Sequence, residues 1–218
     1  MSPTKKEQDK PIQYAKGFVE FYKLKFKVTP DVLIPRPETE LLVDLVLQIK
    51  PNTLLDLGTG AGNIAISVAK NLSTVKITAT DISKKALFIA KQNAKFHKTE
   101  NKTAFLQSDL LSKVKVPSEV IVTNLPYIPT ARIPYLDSSV KDYEPYIALN
   151  GGRDGFELYR KLFIEIVQKN LYPNYLIGEI DYTHGEIAVL EALKYFPMCR
   201  AEVKLDLTHR QRILILTF

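Results

Sequence analysis

Residues 121–129, Ile-Val-Thr-Asn-Leu-Pro-Tyr-Ile-Pro, run from an apolar segment into an amide, two closely spaced prolines and an aromatic ring. The Asn124 side chain can accept a hydrogen bond from an N–H2 group, and the Leu125 carbonyl offers a second acceptor. Pro126 biases Leu125 toward an extended conformation, which stiffens that acceptor. Tyr127, expected as an exposed ring, can stack on a flat group. Asn124, Leu125, Pro126 and Tyr127 are therefore the candidate catalytic residues, and the chemistry they suit is methyl transfer to a planar nitrogen.

A second constellation lies upstream. Leu54 to Gly62 joins an apolar run to a helical pattern through Gly58, Gly60 and Gly62, with Thr59 and Ala61 between them. Glycines at alternate positions let the backbone turn sharply and approach a ligand. The spacing differs from the dinucleotide fingerprint, since Asn63 stands where its third glycine would fall, and the lysine of a phosphate loop is missing. S-adenosyl-L-methionine, a nucleoside methyl donor without phosphate, needs neither. Asp81 follows Gly58 by 23 residues, near the spacing of about 20 at which a carboxylate reaches a ribose; a local helix cap is the competing reading. Asp109 and the Leu110 backbone could flank an adenine edge, or form an ordinary turn. With Asn124, these residues make up the candidate cofactor site. His97, His184 and His209 are too scattered for a metal centre and receive no chemical role.

The elements that must position these residues can be read from periodicity. Gly17–Tyr22 and Leu24–Val28 predict an N-terminal β-hairpin, and Ile34–Glu40 a proline-stiffened linker entering a helix that ends near Lys50. From there, strands at 53–57, 75–80, 103–107, 120–123 and 175–179 alternate with helices near 62–71, 83–97 and 154–169, with Ser83 as an N-cap. A helix near 184–195 leads into strands 200–207 and 212–218, a terminal antiparallel hairpin. The alternation predicts an α/β, Rossmann-like fold whose mostly parallel sheet has seven strands. The organisation expected is a polar tail over 1–13, hairpin and linker over 14–36, and one catalytic domain over 37–218.

Composition bounds the setting. A chain of 218 residues, 45% hydrophobic, can bury one substantial core. A single cysteine excludes an internal disulfide, and no apolar run approaches the roughly 20 residues of a spanning helix, so the cytoplasm is the expected compartment. The formal charge of +6 permits contact with nucleic acid without requiring it. Nothing in the composition bears on oligomeric state.

With these segments in place, the chain from Tyr14 onward resembles the bacterial peptide chain release factor glutamine methyltransferases (HemK-like). The resemblance rests on Val32–Glu40, the Asp56–Gly62 loop, Tyr143-Glu144-Pro145, Ala148-Leu149 and Gly151-Gly152, with weaker echoes at Glu179, His184–Glu186 and Arg210–Arg212. It implies a class I methyltransferase that uses S-adenosylmethionine to methylate the glutamine side-chain amide in a Gly-Gly-Gln loop, the release factor being the partner. Gly58 to Gly62, Asp81 and Asn124 would hold the cofactor, and Asn124 to Tyr127 the glutamine. Two departures stand out: Leu125 replaces a proline of the family pattern, and only a short segment stands where the family carries an N-terminal helical domain. Asn-Leu-Pro-Tyr also occurs in enzymes that methylate adenines of ribosomal RNA, so that activity is the alternative, and a non-catalytic cofactor-binding scaffold a third.

Overall fold

The computed structural model describes residues 9–218. Residues 1–8, most of the expected polar tail, lie outside it. In chain order the helices and strands are α1 (Ile12–Lys16), β1 (Phe18–Phe21), β2 (Leu24–Lys27), α2 (Glu40–Ile49), β3 (Thr53–Leu57), α3 (Asn63–Asn71), β4 (Lys76–Asp81), α4 (Lys84–His97), β5 (Thr103–Gln107), β6 (Val120–Thr123), α5 (Ser138–Lys141), α6 (Glu157–Lys169), β7 (Tyr175–Glu179), α7 (Gly185–Tyr195), β8 (Arg200–Leu205) and β9 (Gln211–Thr217). Short 3-10 turns occupy Pro37–Thr39, Thr130–Tyr135 and Tyr146–Ala148. Among the described residues, no helix is long and apolar enough to cross a membrane.

The seven-stranded sheet runs β5-β4-β3-β6-β7-β9-β8, parallel from β5 to β7 and antiparallel at β9 and β8. Strands at its centre are buried on both faces, which is why Leu54-Leu55 and Val120-Ile121-Val122 read as unbroken apolar runs. Successive side chains point to opposite faces. Leu54, Val120 and Val122 therefore join one core with Leu42, Val46 and Val68, while Leu55 and Ile121 join the other with Tyr159, Phe163 and Ala188. The chain moves outward from β3 through β4 and β5, then returns to the other side of β3 as β6 and β7. Ligands of open α/β sheets bind at such a reversal, outside the carboxyl ends of the strands.

The hairpin β1–β2 packs beside that crevice. Tyr14, Val28, Val32 and Ile34 bury against Ala61, Ala86 and Ile89, and the Tyr14 hydroxyl donates to the Val32 carbonyl at 2.6 Å. Asn93, on the buried side of α4, accepts from the Lys27 amide at 2.8 Å and donates to the Lys27 and Ala61 carbonyls at 3.0 and 2.8 Å. One side chain thus ties hairpin, helix and glycine loop together. The expected hairpin, sheet and terminal antiparallel pair are all present, and the Ser83 hydroxyl caps α4 by accepting from the Ala86 amide. The expected boundary at residue 14 falls inside α1, and α6 starts at Glu157 because Asp154 accepts from the Phe156 amide in a turn.

Replacing Asn93 with Ala leaves three backbone groups without partners. We expect a loss of about 1–3 kcal/mol in a urea unfolding titration; an unchanged midpoint would show that water replaces the clamp.

Candidate functional site

A cleft of about 1100 Å³, counting its open mouth, lies at the carboxyl ends of β3, β4, β5 and β6. Gly58 and Gly60 line it with φ of 70° and 54°, in the left-handed region that a side chain would strain. Gly62, expected at the ligand, lies outside the lining: a Cβ there would meet Ile66 Cδ1 at 2.9 Å and Ala90 Cβ at 3.2 Å, so this glycine permits α3 to pack on α4. Asp56 holds the loop from behind, accepting from the Thr59 hydroxyl at 2.7 Å and the Ala65 amide at 3.2 Å. Asp81 lines the cleft while its two oxygens accept from the Gly60 amide at 2.9 Å and the Ser83 amide at 2.8 Å. It therefore acts both as a local turn former and as a wall of the cleft.

Asp109 and Leu110 also reach the cleft, on a loop that α6 holds in place. Leu110 sits at φ 39°, a costly conformation for a branched residue. The Leu111 amide donates to Glu165 at 2.8 Å, and Lys169 Nζ donates to the Leu111 carbonyl at 2.8 Å.

Charge distinguishes the ligand that fits. Among the described residues, Asp31, Asp81 and Asp109 line the cleft and Arg36 is the one cation in that lining; Arg36 is spent on Glu144 at 2.5 Å, and Asp31 is paired with Lys85 at 3.1 Å. Among the described residues, that lining offers an anionic phosphate no unpaired cation. A cationic nucleoside such as S-adenosylmethionine suits an acidic cleft with a glycine turn. Arg36 and Pro35 come from the linker, and Glu144 and Pro145 from the loop after α5, so their ion pair ties two walls of the mouth together. Burial raises the Glu144 carboxyl above its ordinary value, and Arg36 opposes that rise.

At the other end of the cleft stand Asn124, Leu125 and Pro126. Asn124 Nδ2 donates to Thr39 Oγ1 at 3.1 Å, and Thr39 Oγ1 donates to Glu179 Oε2 at 2.7 Å. Tyr127 departs from expectation. It is partly buried and absent from the lining, because its hydroxyl donates to Glu179 Oε1 at 3.0 Å. Leu125 packs its side chain into the core beneath the glycine loop. The loop after β6 is braced by Gly151, whose amide donates to the Ile128 carbonyl at 2.9 Å; a Cβ on Gly151 would meet the Pro126 carbonyl at 2.7 Å. Periodicity and spacing left Thr39, Arg36 and Glu144 without a role, although each falls in a segment that carries the family resemblance.

Asp56 makes the glycine loop sensitive to pH. Burial pushes its carboxyl up to about 7, with the Asp81 charge adding and the Thr59 and Ala65 bonds opposing. The folded protein keeps a proton there that the unfolded chain gives up near 3.8. That contribution to stability is complete below this lower value and is lost as pH rises through about 7. Asp56→Asn should therefore flatten the fall in urea midpoint between those limits, relative to the unmodified protein; parallel pH profiles would refute the assignment.

Residues 37–133 match the family model described as "Methyltransferase small domain". A release factor glutamine methyltransferase from Moorella thermoacetica is 44% identical over 70% of this chain, and one from Thermodesulfovibrio yellowstonii is 37% identical over 94% of it. The chain spans 55% of the length of the first and 76% of the second. Among solved structures, the catalytic domain of hMettl16 in complex with the MAT2A 3'UTR hairpin 6 superposes with a TM-score of 0.70 at 15% identity, covering 90% of this chain and 76% of that one. That likeness shows the class I methyltransferase fold. The family is shown by sequence: with 37% identity to the Thermodesulfovibrio protein over 76% of that protein's length, the chain belongs to the release factor glutamine methyltransferase family.

Proposed function

We propose that the protein methylates the side-chain amide nitrogen of the glutamine in the Gly-Gly-Gln loop of a peptide chain release factor, using S-adenosylmethionine, in the bacterial cytoplasm. The observation that carries this reading is the pairing at the end of β6. Asn124 Oδ1 and the Leu125 carbonyl receive no hydrogen bond from the described residues, and both residues line the cleft. Two adjacent acceptors match the two N–H bonds of a carboxamide. The family names support the protein substrate over ribosomal RNA. The catalytic domain in this reading is 37–218, with the hairpin and linker over 14–36 as its flank.

An amide nitrogen is a weak nucleophile because its lone pair is delocalised into the carbonyl. Asn124 Oδ1 and the Leu125 carbonyl would each accept one N–H of the glutamine, raising electron density on nitrogen and turning its lone pair into the cleft. Gly58–Gly60, Asp81 and Asp109–Leu110 would hold S-adenosylmethionine, which would supply an electrophilic methyl carbon, the S–C bonding pair staying with the sulfur as leaving group. The nitrogen pair forms the new N–C bond, and one N–H proton then passes to water. Both acceptors are too weakly basic to retain it. Alignment of two bound reactants can remove about 7 to 11 kcal/mol of barrier, so positioning suffices and no histidine base is needed.

Labelled methyl transfer to purified release factor, with ribosomal RNA as the comparison, tests the reading. Label should enter the release factor and disappear when its loop glutamine is replaced; label in RNA alone would overturn it. Asn124→Ala should lower kcat by about 100- to 1000-fold, the scale set by losing a preorganised hydrogen-bonding group in an acyl-transfer site. Cofactor binding should be left partly intact by that change. Asp81→Ala removes a charged acceptor from the cleft and from the Gly60 turn, so calorimetry should give about 10- to 100-fold weaker binding of S-adenosylmethionine. Unchanged affinity would remove Asp81 from the cofactor site.

A further inference from the structure

We propose that Thr39 and Glu179 are positioning residues that fix which end of the Asn124 carboxamide faces the cleft, by committing a single hydroxyl proton. The inference rests on the reading that Asn124 binds the acceptor nitrogen. The two ends of a carboxamide have nearly the same shape, so their neighbours decide which way round it sits. Thr39 has one hydroxyl proton, and an ionised carboxylate can only accept. With Glu179 Oε2 at 2.7 Å from Thr39 Oγ1, that proton is directed to Glu179. The hydroxyl oxygen can then only accept from Asn124, and the 3.1 Å contact is satisfied by Nδ2. Oδ1 is left for the substrate. A reversed amide would set two N–H2 groups against each other.

The surroundings suit this task. Thr39 and Glu179 are almost wholly buried, so water does not compete for the proton. The Tyr127 hydroxyl occupies the other carboxylate oxygen at 3.0 Å, and the Tyr159 hydroxyl donates to the Glu179 carbonyl at 2.6 Å. Burial raises the Glu179 carboxyl above its ordinary value, with Glu38 adding, while the Thr39 and Tyr127 hydroxyls and Arg212 oppose that rise. Arg212 is itself oriented by Asp206 at 3.1 Å. Thr39 enters from the linker, Asn124 from the end of β6 and Glu179 from the end of β7, so three separate segments meet in one relay.

Two measurements test it. Thr39→Val removes the hydroxyl at constant shape, Thr39→Ser keeps it, and Glu179→Gln supplies an amide that can donate back to Thr39. With release factor as substrate, Thr39→Val and Glu179→Gln should lower kcat by about 100-fold, the cost of misplacing a reacting group. KM for release factor and affinity for S-adenosylhomocysteine should stay at wild-type values, and Thr39→Ser should restore most of kcat. Independently of activity, the Asn124 side-chain N–H2 should exchange slowly with solvent by NMR in the wild type and Thr39→Ser, and quickly in the other two. Exchange rates unchanged in Thr39→Val and Glu179→Gln would overturn the relay, as would a Thr39→Ser enzyme no better than Thr39→Val. A wild type inert toward release factor but with the protected Asn124 amide would sink the substrate assignment and leave the relay standing.

Discussion

Parallel pairing of β3 with β6 is the constraint on which the site depends. Leu57 lies opposite Thr123 in that register, so the residues that follow, Gly58 and Asn124, leave the sheet side by side. A Cβ on Gly58 would stand 4.0 Å from the Asn124 carbonyl. The glycine turn and the acceptor pair are thus neighbours because two buried strands stop together, and no long-range loop has to carry one to the other. A slip of one residue would send Leu54 and Leu55 to the wrong faces, so the two cores enforce the alignment as strongly as they enforce the fold.

Around that junction, segments from distant parts of the chain are held by polar contacts rather than by the sheet. Asn93 fixes the hairpin to the Ala61 carbonyl, Arg36 fixes the linker to Glu144, and Thr39 links the same linker to Glu179. Each joins segments far apart in the chain, and in each at least one partner is buried. The cleft is consequently shaped on one side by strands and on the other by a linker held through the directed bonds of Arg36 and Thr39. Buried polar groups of this kind discriminate among arrangements more sharply than apolar packing does, because an alternative arrangement leaves them unpaired.

Much of this was legible in the amino-acid order. The runs at 53–57, 103–107, 120–123 and 175–179 match their strands residue for residue, because turn-forming residues, Pro51-Asn52, Asn101, Pro117-Ser118 and Pro173-Asn174, stand just before each of them. The glycine turn, Asp81, Asp109 and Asn124–Pro126 converge on one cleft as their chain positions suggested. Short elements escaped notice: α1 and the 3-10 turns after Pro129 and Pro145 span too few residues to show a period. Tyr127 was misread as an exposed ring because its partner, Glu179, lies on the next strand, and spacing along the chain carries no trace of that contact. Thr39 and Glu179 are 140 residues apart, so only the fold reveals that they are hydrogen-bonded.

With Arg36 paired to Glu144 and Lys85 to Asp31, Asp81 and Asp109 are the cleft carboxylates that face the ligand without a lysine or arginine partner among the described residues. For the proposed reaction, the charge of the bound nucleoside changes during catalysis: the sulfonium is cationic before transfer and a neutral thioether afterwards. The attraction exerted by Asp81 and Asp109 therefore weakens when the methyl group departs. The same acidic walls that draw the donor in loosen their hold on what remains of it, which favours departure of the spent nucleoside and entry of a fresh one.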